Sequence, residues 1–113
     1  MILEARLKSA IWVKAHLRRC AAEGIQAVIV RHGDDTAGSV LIKLNQFDLG
    51  CSVLSPSNGG DGTRIWLRAT GAAPVAEADA DGYIARQVKR DPDLWVIEIE
   101  DRHGRHCLDD PVH

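Results

Sequence analysis

Along the first part of the chain, apolar residues recur every three or four positions: Leu7, Ala10, Val13, Leu17, Cys20 and Ala21. That is the period of one face of an α-helix. It predicts a helix over residues 5–23, stopped by Gly24, with Arg18 and Arg19 at the negative end of its dipole. The pattern then changes. Ile25 to Val30 is almost continuously apolar and too short for a helix, which predicts a buried central strand. Arg31 to Asp35 reads as a turn. Val40, Ile42 and Leu44 alternate with Leu41, Lys43 and Asn45, the period of a half-buried strand. A tight turn near Phe47 and Asp48 leads into Leu49, Cys51 and Val53, which alternate again. Ser55 to Gly62 is a polar connector. Arg64 to Ala69 is a further strand, with Ile65, Leu67 and Ala69 as its apolar face.

Pro74 opens a second helix. Its acids come early (Glu77, Asp79, Asp81) and its bases late (Arg86, Lys89, Arg90), as the helix dipole favours. Ala80, Ile84 and Val88 form a thin apolar stripe, and Asp91-Pro92 ends the element. Leu94 to Glu100 is a final strand. Beyond it come a turn at Asp101 to Gly104, a short returning segment at Arg105 to Leu108, and a frayed end. Strands run together rather than alternating strictly with helices. The fold class is therefore α+β: an N-terminal helix, a four-strand antiparallel meander, a second helix and a final strand, in one domain over residues 1–113.

Charge and composition narrow the function classes. The chain has 113 residues, 45% hydrophobic and 27% charged, with a formal charge of -2. These values fit a globular domain and exclude a strongly basic nucleic-acid binder. Residues 1–8 carry charge every few positions and form no signal-peptide core, and no run is long enough to cross a membrane. The expected location is the cytoplasm, with no membrane partner. Cys20, Cys51 and Cys107 are odd in number and widely spaced, so they read as reduced thiols rather than a disulfide framework.

No motif for phosphate cradling, acyl transfer or metalloproteolysis occurs. No cofactor is expected. His103, His106 and Cys107 combine zinc-ligand types, but His106 and Cys107 would point to opposite faces of a strand, so no metal is expected there. Glu98 and Glu100 share a strand face and read as solvated side chains rather than an acid-base pair. The strongest functional pattern is a pair of basic-aromatic stripes. Lys8, Trp12, His16 and Arg19 share one helix face, opposite the core stripe. Arg64, Trp66 and Arg68 share one strand face, opposite Ile65 and Leu67. Tryptophan beside arginine suits a protein hot spot or the stacking of a nucleic-acid base. Equally, Trp66 beneath a helix would be core. Trp95, with Ile97 and Ile99, reads as core.

Several segments resemble one family together: Arg6 to Val13, Ala37 to Lys43, Trp66 to Gly71, Tyr83 to Gln87, and Asp91 to Asp101. Their order and wording are similar to short alphaproteobacterial proteins grouped as domain of unknown function 1491. The resemblance implies a bacterial cytoplasmic protein and carries over no activity and no site residue. A looser analogy is to the half-open Sm-like barrel, through Gly38, Val40, Leu44 and Asn45 and through Arg68. The acid expected before the asparagine is absent, as is an Arg-Gly pair after the fourth strand. The reading that results is a small non-enzymatic module that binds a protein partner or itself through a sheet edge or the tryptophan faces. An RNA-binding domain is the first alternative, and an enzyme with a site assembled only in three dimensions is the second.

Overall fold

The computed structural model describes residues 7–113. The chain runs α1 (Ser9–Ala22), β1 (Gln26–Arg31), β2 (Val40–Asn45), a 3-10 turn at Phe47–Leu49, β3 (Cys51–Asn58), β4 (Arg64–Arg68), α2 (Glu77–Arg90) and β5 (Trp95–Glu100). Among the described residues no helix is long and apolar enough to cross a membrane.

α1 begins at Ser9, later than its apolar period suggests; residues 5 and 6 lie outside the described residues. No side chain caps it. Its first amides are instead bound by the loop before β2: Ser9 N donates to the Thr36 carbonyl and Ala10 N to the Asp35 carbonyl. These bonds satisfy donors that a helix start leaves orphaned. The C-terminus closes on Gly24 at φ +72, with Gly24 N donating to the Ala21 carbonyl and Ile25 N to the Cys20 carbonyl. This is the paired-bond glycine cap, and it turns the chain directly into β1.

The sheet has the order β1-β5-β2-β3-β4. The meander is real only for β2, β3 and β4, which pair antiparallel. β5 enters between β1 and β2, antiparallel to the first and parallel to the second. The sheet is therefore mixed, not a four-strand antiparallel meander. Nor is it a barrel, because β1 and β4 stand at opposite edges. A connection through α2 makes the parallel pairing feasible, since parallel neighbours need a long crossover.

This order corrects two burial expectations. β1 is an exposed edge strand, not a central one. β2 is buried on both faces rather than half-buried, because it lies mid-sheet with a helix on each side. α1 covers Val40, Ile42, Leu44, Trp95, Ile97 and Ile99. α2 covers Leu41, Cys51 and Val53 through Ala80, with Ile84 and Val88 beside it. β3 extends through Asn58, so the polar connector shortens to residues 59–63. Pro74 precedes α2 without entering it: Val75 first bridges to Cys51, and the helix starts at Glu77.

The loop before β2 packs against the chain entering β5. Asp34 N donates to the Asp93 carbonyl, Trp95 N to the Ser39 carbonyl, and Trp95 Nε1 to the Asp34 carbonyl at 2.7 Å. Two glycines make this crossing possible: a Cβ on Gly33 or Gly38 would lie 2.3 or 2.2 Å from the Asp93 carbonyl oxygen. After β5, Asp101 fixes the turn by accepting from Arg105 N at 2.7 Å and from its guanidinium. The Arg105 bonds hold the Asp101 carboxyl down to about 2. Residues 105–108 are irregular rather than a strand. The final residues do not fray: Val112 bridges Trp66 along the outer edge of β4.

Candidate interaction surface

The two predicted stripes meet in space, but as packing rather than as an open face. Trp66 lies on the same side of β4 as Arg64 and Arg68, as strand period requires, and that side faces α1. Trp66 is fully buried, whereas Leu67, on the supposed core face, is 40% exposed. Trp12 stacks on Trp66 with centroids 5.7 Å apart, and on His16 at 4.8 Å with planes 7° apart. α1 is rotated accordingly. Val13, His16 and Cys20 are its buried residues, and Leu7 points outward. Trp12 keeps a half-buried position; Lys8, Arg19 and Arg64 are exposed and Arg68 is half-buried.

A histidine serves as core here because it has a partner. His16 Nε2 lies 2.9 Å from the His106 carbonyl, and as the donor it fixes the neutral tautomer. Burial lowers the pKa of His16, partly offset by that hydrogen bond. Burial, with the nearby Arg68 charge, also lowers that of His106. Protonating either ring opposes the fold, so this contribution is complete above about pH 6.5 and is lost as pH falls below it. Urea unfolding at pH 7.5 and pH 5.5 is expected to show lower stability at the acid value. In His16→Gln, which keeps a donor for the carbonyl, the difference is expected to shrink. An equal difference in the variant would remove His16 from the account.

The strap formed by residues 105–113 holds this arrangement. Arg19 and Asp109 form a bidentate ion pair. Trp66 N donates to the Pro111 carbonyl, His113 N to the Trp66 carbonyl, and Arg68 N to the His113 carbonyl. A shallow cleft of about 240 Å³ remains between α1 and the strap, lined by Trp12, His16, Arg19, Leu108 and Asp109. Arg19 reaches it already neutralised, and Trp66 does not line it. The described residues bring no three His, Cys, Asp or Glu side chains together as metal ligands. His106 Nδ1 accepts from Leu108 N at 3.0 Å. The Cys107 thiol packs near Cys20; burial and that neighbour push it up to about 12.

Sequence reasoning missed one charged group. Lys43 is 6% exposed at the middle of the sheet, beneath α2. Its Nζ lies 2.7 Å from Glu77, 2.8 Å from Asp81 and 3.8 Å from Glu98. Burial opposes its charge, but the bonds to Asp81 and Glu77 and the Glu98 charge outweigh it and raise the pKa. The only signal in the sequence was a lysine inside an apolar strand, and its partners come from two distant elements.

The surface that is open lies at the other edge. On β4 the C-terminal residues occupy the outer backbone groups. On β1 no described residue does so. Val28, Ile29 and Val30 are 46%, 42% and 57% exposed. Because successive side chains alternate between faces, this apolar surface wraps both sides of the strand. Exposed edges are usually blunted by lysine, proline, bulges or a covering segment. β1 has neither lysine nor proline, and its one irregularity falls between Ile29 and Arg31, at its end.

A five-stranded sheet between two helices, with one edge sealed by the C-terminal residues and the other left apolar and open among the described residues, defines a small α+β module. The chain belongs to the family described as protein of unknown function (DUF1491), which it matches over residues 7–109. A crystal structure of a DUF1491 family protein from Caulobacter crescentus CB15 is similar at 40% identity and TM-score 0.86, covering 96% of this chain and 100% of that one. An NMR structure of a DUF1491 family protein from the same organism gives 41% identity, TM-score 0.81 and coverage of 95% and 96%. The solution structure of protein Atu0922 from A. tumefaciens gives 28% identity, TM-score 0.75 and coverage of 94% and 97%. No functionally curated protein matches.

Proposed function

We propose that this chain is a protein-interaction module that binds by strand addition at β1. One observation carries the proposal: a six-residue strand with exposed apolar side chains on both faces and an unoccupied backbone edge among the described residues. Strand addition supplies main-chain hydrogen bonds to such an edge, and the alternating side chains supply the selectivity. Nothing chemical needs to happen at it, so the module acts by binding rather than by catalysis. The full burial of Trp66 supports this reading over RNA binding, since a base cannot stack on that ring.

The test is selection of extended peptides on the immobilised protein, with counter-selection on Val28→Lys. Peptides of alternating apolar pattern are expected to bind the wild type and lose binding to the variant. Peptides that bind both proteins equally, or whose binding is abolished by Trp12→Ala instead, would move the site off β1.

A further inference from the structure

We infer that the strand received at β1 is β1 of a second copy of this chain, paired antiparallel across a two-fold axis near Val28. This rests on the edge reading above and adds the identity of the partner. The first argument is sequence pattern. Ala27-Val28-Ile29-Val30 has the composition of a strand covered on both sides, yet the fold of one chain leaves it at the rim. A second copy placed across it makes β1 internal, joins two five-stranded sheets into one of ten, and gives that pattern its ordinary environment.

The second argument is closure. Residues 111–113 seal the β4 edge, so among the described residues each chain offers one free edge, that of β1. Like edges that pair through a two-fold close the assembly at two copies, whereas a second open edge would let it grow.

The third argument is charge. Arg31 is the only charged residue of β1, and its Nη1 is bound to the Pro92 and Leu94 carbonyls at 2.9 and 2.8 Å. Residues directly opposite in an antiparallel pair share a face. Centred on Val28, the pairing sets Val28 against Val28 and Ala27 against Ile29, before the irregularity at the strand's end. No like charges face each other, and the edge offers no charge by which to select an acidic or basic peptide. A six-residue strand buries less than the roughly 800 Å² per partner of a standard interface. The dimer is therefore expected at micromolar rather than nanomolar concentrations.

Sedimentation of the full chain from low micromolar concentration upward tests this, for the wild type and for Val28→Lys. The wild type is expected to shift from monomer to dimer. Val28→Lys is expected to stay monomeric, with the near-ultraviolet signal of its tryptophans unchanged; if it loses that signal, Val30→Lys takes its place. A wild type that stays monomeric overturns the second copy as partner, while the peptide selection above still decides whether β1 is a binding edge. A dimer that survives the folded charge variant overturns it too, by placing the interface elsewhere.

Discussion

Trp66→Ala is expected to lower the free energy of unfolding by about 3–5 kcal/mol, the cost of emptying a fully buried tryptophan site. Against a typical total of about 5–15 kcal/mol, that is a large share. The reasoning is geometric. Trp66 has no exposed surface, stacks on Trp12, and has its backbone clamped by Pro111 and His113. Removing the indole opens a cavity between β4, α1 and the strap at once. Trp66→Phe separates volume from polarity. Among the described residues the Trp66 Nε1 has no acceptor, so phenylalanine forfeits no hydrogen bond to them and is expected to cost much less than alanine. Urea unfolding of the two variants measures both quantities. Equal and small losses would return Trp66 to the surface, where its basic neighbours first suggested it belonged.

Lys43→Ala is the second large effect, expected at about 3 kcal/mol, the low end for breaking a buried ion pair. It falls at the low end because Glu77 and Asp81 are more than half exposed and regain water, while Glu98 is 19% exposed and does not. The loss combines three carboxylates without their cation and an unfilled space beneath α2. Lys43→Met keeps the stem and is expected to recover part of the loss. The folded lysine holds its proton more tightly than the unfolded one. Its contribution is therefore present below the ordinary lysine value of about 10.4 and is lost as pH rises beyond it. Wild type and Lys43→Met are accordingly expected to converge in stability at strongly alkaline pH. A constant difference up to that range would show that packing, not charge, carries the effect.

Both helices and the strands were legible as patterns, because each depends on local periodicity. Gly24 ended α1 for the reason read from the sequence, and the acids and bases of α2 sit at the ends its dipole favours. Strand order was not legible. Nothing local distinguishes a strand that pairs with its predecessor from one that inserts beside β2 after a helical crossover, as β5 does. That insertion displaced β1 to the rim and made β2 central. Side-chain period was read correctly on β4, but the choice of face was not. α1 covers the Trp66 face of β4, whereas α2 packs over β2 and β3, so Trp66 is buried and Leu67 stays partly exposed. The arginines beside it keep their charged ends towards water while their stems lie along apolar surface. On α1, counting His16 as polar shifted the predicted core stripe. Its partner, a carbonyl ninety residues away, has no local signature. The family resemblance, which drew on segments spread along the whole chain, agrees with the match over residues 7–109.

Backbone amide exchange at β1 tests the open-edge account most directly, because it reports on the edge itself. In dilute protein the outward-pointing amides of Gln26–Arg31 are expected to exchange rapidly, while those of β4, bound by the strap, exchange slowly. On association the β1 amides are expected to slow and the β4 amides to stay as they were. Slow exchange at β1 in dilute monomer would show that the edge is already covered. Rapid exchange at β1 in the fully associated protein would show that partners bind elsewhere.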